Sequence, residues 1–159
     1  MADFQSPILG SGGDAELGAC RLRDESHLEK WRVWEDAFGV AVGTARRQGG
    51  SLVVAVSPGE WIVIGDRPPV DDVVDLTHAR AAMRLTGGGA RWVLEHVCAL
   101  DLGDSMTPDG AAARTLVAGV AAEIIRDDVA GEPSYLLLMS RSFARSVWER
   151  LEAAASAGS

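Results

Sequence analysis

Apolar residues in this chain fall into short blocks, and most of the blocks have the length and flanks of strands. "LGACRLRD" predicts a short strand, and "VAVGTARR" with "SLVVAVS", separated by Gln48-Gly49-Gly50, predicts a hairpin. "SPGEWIVIGD" adds a tight turn and a further strand. "ARAAMRLT" and "PSYLLLMS" predict two more, the latter buried. "AAARTLVAGVAAEIIRDD" reads as two strands bending near Gly119, with a helix as the alternative because alanine is abundant. Helical spacing enters at three places. From Ser26, "SHLEKWRVWEDAFG" puts Leu28, Trp31, Trp34 and Phe38 near one face, with Gly39 as a stop. After Gly87 to Gly89, the residues Ala90, Val93, Leu94, Val97 and Cys98 form one apolar stripe. Ser140 or Ser142 then caps a last helix, with Phe143, Val147 and Leu151 on one face and Trp148 beside it.

These elements predict an α+β fold, mainly antiparallel sheet with helices packed on it. Residues 1–16 read as a flexible arm, residues 17–154 as a single domain, and residues 155–159 as a frayed tail. "RPPVDD" is the seam between two similar halves, about 17–67 and 73–154, each expected to hold a helix and several strands.

Charge and composition narrow the function. The net charge is −8, from 15 basic and 23 acidic residues, and the basic residues make only short pairs such as Arg46-Arg47. A phosphate backbone needs a basic stripe, so nucleic acid is a poor partner. No segment approaches the roughly 20 apolar residues that span a bilayer. The start, "MADFQSPILGSGGDAE", is not the pattern of a secretory signal. Cys20 and Cys98 lack metal-ligand spacing and are expected to be buried thiols in a reducing cytoplasm. Lys30 is the only lysine.

Candidate chemistry is sparse. "TGGGARWV" fits neither GxxxxGK[ST] nor a GxGxxG within a βαβ unit, so its glycines are read as a turn into a helix, with Thr86 near the cap. His27, His78 and His96 are not spaced as metal ligands, and no GxSxG elbow is present. Catalytic and metal residues are therefore expected to be none. Asp71-Asp72 and Asp127-Asp128 read as solvated acids at turns. Trp31, Trp34, Trp61 and Trp148 are the partner-interface candidates, with Trp34 first because Leu28, Trp31 and Phe38 already fill the stripe of its helix.

Four segments in order, "SPGEWIVIG", "VDLTHARAAMRLTGGGARWVLEHVCALDL", "TPDGAAARTLVAGVAAEIIRDD" and "SYLLLMSRSFARSVWERLEAA", resemble the gamma subunit of heterotetrameric sarcosine oxidase. That family is related to the folate-binding domain of the glycine-cleavage T-protein, an aminomethyltransferase. The specific pieces are the turn around Gly87, Ala90 and Leu94, the Ala-Arg-Thr at 113–115 and the Ser-Arg-Ser-Phe at 140–143.

The resemblance implies a role in an assembly. Other subunits would oxidise the N-methyl group of sarcosine through flavin to oxygen, with the one-carbon unit passed to tetrahydrofolate or released as formaldehyde. A gamma subunit would pack on the alpha subunit in a cytoplasmic heterotetramer with beta and delta subunits, serving sarcosine catabolism. The complex would use FAD, FMN, NAD and tetrahydrofolate, none held by this chain alone. T-protein relatives carry a key aspartate in a Gly-Val-Ile-Asp-Asp-type run. Here the stretch is "GVAAEIIRD", with Ala122 and Glu123 at those places, which argues against independent aminomethyl transfer. "DLTH" resembles the family's Asp-Val-Ser-His, so Asp75, Thr77 and His78 join Glu123 as weak folate-contact candidates, with Asp75 and Thr77 also suited to tying down the start of the strand that follows. Two other readings stand beside this one: a free-standing tetrahydrofolate-binding aminomethyltransferase-like protein, and a scaffold module of another oxidoreductase.

Overall fold

The structure, a computed structural model, describes residues 4–8 and 13–158. In chain order the strands are β1 (Asp14–Glu16), β2 (Arg21–Asp24), β3 (Lys30–Val33), β4 (Thr44–Gln48), β5 (Ser51–Ser57), β6 (Glu60–Ile64) and β7 (Val73–Asp75). They continue as β8 (Arg80–Thr86), β9 (Ala112–Val117), β10 (Val120–Arg126) and β11 (Ser134–Ser140), with helices α1 (Ala90–Glu95) and α2 (Ala144–Ser156). Every strand pairing is antiparallel. The first sheet runs β1-β2-β8-β11-β10-β9 and the second β4-β5-β6-β3-β7.

Period-two alternation sorts the side chains into layers. One face of the first sheet packs with the helices: Met83, Leu85, Ile124, Tyr135, Leu137 and Met139 join Leu94, Val147, Trp148 and Leu151 in one core. The other face, with Ala82, Ala112, Ile125, Leu136 and Leu138, packs on Ala45, Leu52, Val54, Ile62 and Ile64 of the second sheet. The far face of the second sheet buries Val33, Val53, Trp61 and Val63 beneath Phe38, Val40 and Val70 from connecting segments. The order is helices, first sheet, second sheet.

The expected hairpin, the strands at 60–64, 80–86 and 134–140, and the pair bending at Gly119 all form. The β9–β10 turn is Ala118-Gly119 with φ of 51° and 78°, so both central residues take the left-handed conformation that suits a two-residue hairpin.

The structure corrects several expectations. No helix covers 26–39: Lys30–Val33 is a strand between β6 and β7. Its alternation sends Trp31 and Val33 to the outer core, while Lys30 and Arg32 share the face of Ile62 and Ile64. Among the described residues both α-helices thus fall in the second half. The stripe from Ala90 to Cys98 is helical only to Glu95, because His96 N–H and Val97 N–H bond three residues back, to Val93 and Leu94, and close the helix. Neither Ser140 nor Ser142 caps α2, since their hydroxyls lie 3.1 Å from each other, and Phe143 is exposed. At the chain ends, Asp14–Glu16 of the expected arm pairs with β2, and α2 runs to Ser156 with Ala154 buried; residues 1–3, 9–12 and 159 lie outside the described residues.

The three-glycine turn is architecture. Gly87 has φ +120°, and a Cβ there would meet the Ala19 carbonyl oxygen at 2.7 Å. Gly89 N–H donates to that same oxygen at 3.1 Å, so a backbone carbonyl occupies the position a phosphate would need. The expected Thr86 cap is absent, its hydroxyl lying instead 3.2 Å from that of Ser134. Gly87→Ala is expected to lower stability by at least about 1–3 kcal/mol from backbone strain. Gly88, which has open space around it, should tolerate alanine within about 0.5 kcal/mol. Paired urea melts of the two variants decide this, and equal losses would refute it.

Candidate functional site

The space between the sheets is apolar in the middle and ionic at both ends. Register explains why. On the face of the first sheet that meets the second, Arg114 is opposite Glu123, Glu123 opposite Leu138, and Leu138 opposite Ala82. One step along, Ala112, Ile125, Leu136 and Arg84 make the next row. Charged residues at 80, 84, 114 and 123 therefore point at the second sheet but lie beyond its apolar patch.

At one end Glu123, only 2% exposed, is held between two arginines. Arg80 donates to its Oε2, and Arg114 Nη2 lies 3.3 Å from its Oε1. Arg114 also reaches Glu60 at 3.9 Å, and Glu60 is 3.1 Å from Arg32 Nε. That last pair is close but misaligned: Arg32 Nε, Glu60 Oε1 and Arg80 Nε are buried and make no hydrogen bond. At the other end Arg84 Nε lies 3.0 Å from both oxygens of Glu25, and its Nη1 donates to Ser134 Oγ at 2.9 Å. Asp127 accepts from Arg47 at 2.5 Å and pairs with Arg84 at 3.0 Å. A cavity of about 370 Å³ opens beside this second network. Asp127, expected to be a solvated acid, is buried there; Asp128, half-buried, accepts from Arg126 at 3.0 Å.

A third polar cluster centres on Lys30, which is fully buried. Its ammonium donates to the carbonyls of Ser26 at 2.8 Å and Leu28 at 2.7 Å, in the connection that crosses from β2 to β3. Ser26 Oγ in turn accepts from Ala82 N–H at 3.1 Å and fastens that crossing to β8. Thr77 Oγ1 accepts the Lys30 backbone N–H at 3.0 Å, and Asp75 Oδ1 accepts from Thr77 N–H at 2.8 Å, so these side chains fasten the segment after β7 to the start of β3 rather than to the start of β8. Burial works to raise the Asp75 carboxyl, but the Thr77 hydrogen bonds and the charges of His78 and Lys30 hold it below its ordinary value. Burial, aided by Arg80 and Arg141 against Asp24 and Asp75, lowers Lys30 from 10.5 to about 8.

The unfolded chain holds its lysine proton up to about pH 10.5 and the folded chain releases it near 8, so Lys30 contributes a stability that rises between those values and is lost as pH falls through 8. Wild type minus Lys30→Met is expected to gain stability over that window in pH-resolved denaturation. A flat difference would refute the burial argument. The sequence clue to Lys30 is the polar–apolar alternation of "KWRV", which the helical spacing of Leu28, Trp31, Trp34 and Phe38 masks.

The remaining candidates are scattered. His78 is exposed with its ring 5.8 Å from that of Phe4, and His27 and His96 are exposed elsewhere. Trp148 and Trp61 are buried, the latter donating to Val40 O at 3.1 Å. Trp31 is half-buried and donates to Gly65 O at 3.0 Å. Trp34 is 45% exposed, though at the end of a strand rather than on a helix, and Trp92, not singled out beforehand, is 40% exposed. Cys20 and Cys98 are buried free thiols, and burial with nearby Glu16 raises the Cys20 thiol. Among the described residues no group of three or more His, Cys, Asp or Glu is placed to hold a metal ion, and no helix is long and apolar enough to cross a membrane. The Glu123 side does not fit a folate contact: both carboxylate oxygens are engaged by arginine and the group is closed from solvent.

No protein-family model matches the chain, and no curated protein matches it. Solved structures do. A chain of the heterotetrameric sarcosine oxidase from Corynebacterium sp. U-96, solved in complex with pyrrole 2-carboxylate, superposes with a TM-score of 0.78 at 21% identity, over 97% of this chain and 95% of that one. The fold is that of a sarcosine oxidase chain. The glycine cleavage system aminomethyltransferase T from Bartonella henselae shares it with a TM-score of 0.61 at 15% identity, over 82% of this chain but only 44% of that one. The resemblance read from the four sequence segments is thus met by the fold, and this chain spans less than half of the aminomethyltransferase.

Proposed function

We propose that this chain is a non-catalytic, gamma-type subunit of a sarcosine-oxidase-type flavoenzyme, packing on an alpha subunit with beta and delta subunits in a cytoplasmic assembly. Oxidative demethylation of sarcosine or a similar N-methyl amine would be the work of the partners, which would carry FAD, FMN and NAD and pass the one-carbon unit to tetrahydrofolate. The observation that carries the reading is the extent of the likeness: it runs through nearly all of this chain and nearly all of the oxidase chain, but less than half of the aminomethyltransferase. The engaged state of Glu123 supports it, because an acid clamped by Arg80 and Arg114 offers no free carboxylate to a folate or an amine.

Affinity-tagged chain expressed in its native host is expected to retain a larger, yellow, flavin-containing partner. Sarcosine oxidation by the purified chain alone would sink the proposal. The free-standing folate-binding reading is separated from it by titrating the isolated chain with tetrahydrofolate and following tryptophan emission, to which exposed Trp34 and Trp92 contribute. No micromolar binding is expected.

A further inference from the structure

The cavity beside Arg84 is walled by a set of charges that sheet register alone does not favour. Arg23 of β2 stands directly opposite Arg84 of β8, and Arg21 stands opposite Thr86. By alternation all four side chains lie on one face of the first sheet. Like charges directly opposite each other across two strands are destabilising. Arg47, from β4 of the second sheet, joins them, so four guanidiniums line about 370 Å³ of open space in a chain of net charge −8.

The acids already present leave part of each guanidinium unused. Arg21 and Arg23 donate to Glu16 and Asp14 through Nε alone, and Arg47 holds Asp127 through Nε and Nη2. Arg84 is 9% exposed and forms the floor. Its Nε serves Glu25 and its Nη1 serves Ser134 and Asp127, while its Nη2 makes no hydrogen bond and is open to the cavity. A guanidinium donor in that position is best answered by a carboxylate.

The remaining walls restrict what carries the carboxylate. Leu28, Val129 and Ala130 make an apolar side, on which Val129 is 42% exposed. Glu25 and Glu132 line the space too; Glu25 is engaged by Arg84, and Glu132 has no ion-pair partner among the described residues. A second negative charge on the ligand would meet Glu132. An inorganic anion or water would answer the N–H groups but leave the apolar side uncovered. One carboxylate on a short apolar body satisfies both walls.

We propose that this cavity is a binding site for a small organic monocarboxylate, its carboxylate received by Arg84 and Arg23 and its apolar body lying against Leu28 and Val129. The site stands apart from the subunit reading, and neither depends on the other. Isothermal titration of the full chain tests it, with sodium benzoate, benzyl alcohol and inorganic phosphate as probes. Saturable one-site binding of benzoate is expected, with none for benzyl alcohol and phosphate at least about tenfold weaker. Arg23→Gln removes one charge-assisted donor at an exposed side chain and should weaken benzoate about tenfold or more. Val129→Asp, which sets a charge in the apolar wall, should do the same, and Arg145→Gln on the exposed side of α2 should change nothing. Both cavity substitutions are at exposed side chains, and their melting temperatures are checked against wild type. Failure of folded wild type to bind benzoate saturably overturns the proposal. So does unchanged affinity in either folded cavity variant, or an equal loss in Arg145→Gln. Phosphate binding as tight as benzoate shows an anion site without apolar recognition, and the proposal fails; benzyl alcohol binding as tight shows that the arginines do not select the ligand, and it fails again.

Discussion

Glu123→Ala is expected to cost about 3–5 kcal/mol of folding stability, among the largest effects of any single change in this chain. The carboxylate is closed from solvent and is the acceptor shared by Arg80 and Arg114. Removing it leaves the Arg80 guanidinium, whose side chain is only 21% exposed, without its partner between two sheets. Charge, not packing, sets the size of the loss. Glu123→Gln keeps the volume and one acceptor and should lose less, while the double change Arg80→Met with Glu123→Leu, which removes both charges, should recover most of the stability. Urea melts at neutral pH give all three values. A loss below about 1 kcal/mol for Glu123→Ala would mean that solvent reaches the cluster and screens it. The expectation also bears on folate binding: a tetrahydrofolate signal lost in Glu123→Ala identifies a contact only if the variant is still folded under the conditions of the titration.

Most strands were legible because their apolar runs are bounded by turn residues: Gly49-Gly50 between β4 and β5, Pro58-Gly59 before β6, Gly119 between β9 and β10. The segment from Ser26 to Gly39 was not. Leu28, Trp31, Trp34 and Phe38 sit at spacings of three and four, which mimic a helix, but Trp31 and Val33 are one face of a four-residue strand and Phe38 returns from a connecting segment to cover it. Spacing alone cannot separate one continuous face from two pieces of chain that pack on the same sheet. The ionic ends were hidden for a related reason. Arg80, Arg84, Arg114 and Glu123 are single charges set among largely apolar strand residues, and they signal a solvated face when only one sheet is imagined. A second sheet covers that face here and turns the charges inward. The resemblance to the oxidase gamma subunit was readable from Gly87, Ala90 and Leu94 and from the segments around them, yet Glu123 stood out only by departing from the T-protein pattern. Its arginine partners come from β8 and β9, and only pairing through β11 and β10 brings them together.

Two tryptophans divide the chain's own stability from its capacity to assemble. Trp148→Ala is expected to cost about 3–5 kcal/mol, the range for deleting a large aromatic side chain from a core. Trp148 is 3% exposed on α2, within the cluster that includes Leu94 of α1, Val147 and Leu151 of α2, and the inner residues of β8, β10 and β11. Removing the indole leaves a cavity between the helical layer and the first sheet, and α2 cannot close it without lifting Val147 and Leu151, which are fully buried. Trp34→Ala, at 45% exposure, should instead change stability by no more than about 0.5 kcal/mol, while weakening retention of a partner by about 2 kcal/mol or more if the residue is an interface anchor. Chemical denaturation gives the first quantity for each variant and partner titration the second. Loss of stability in Trp34→Ala comparable to that in Trp148→Ala would place Trp34 in a core and remove it as an interface anchor.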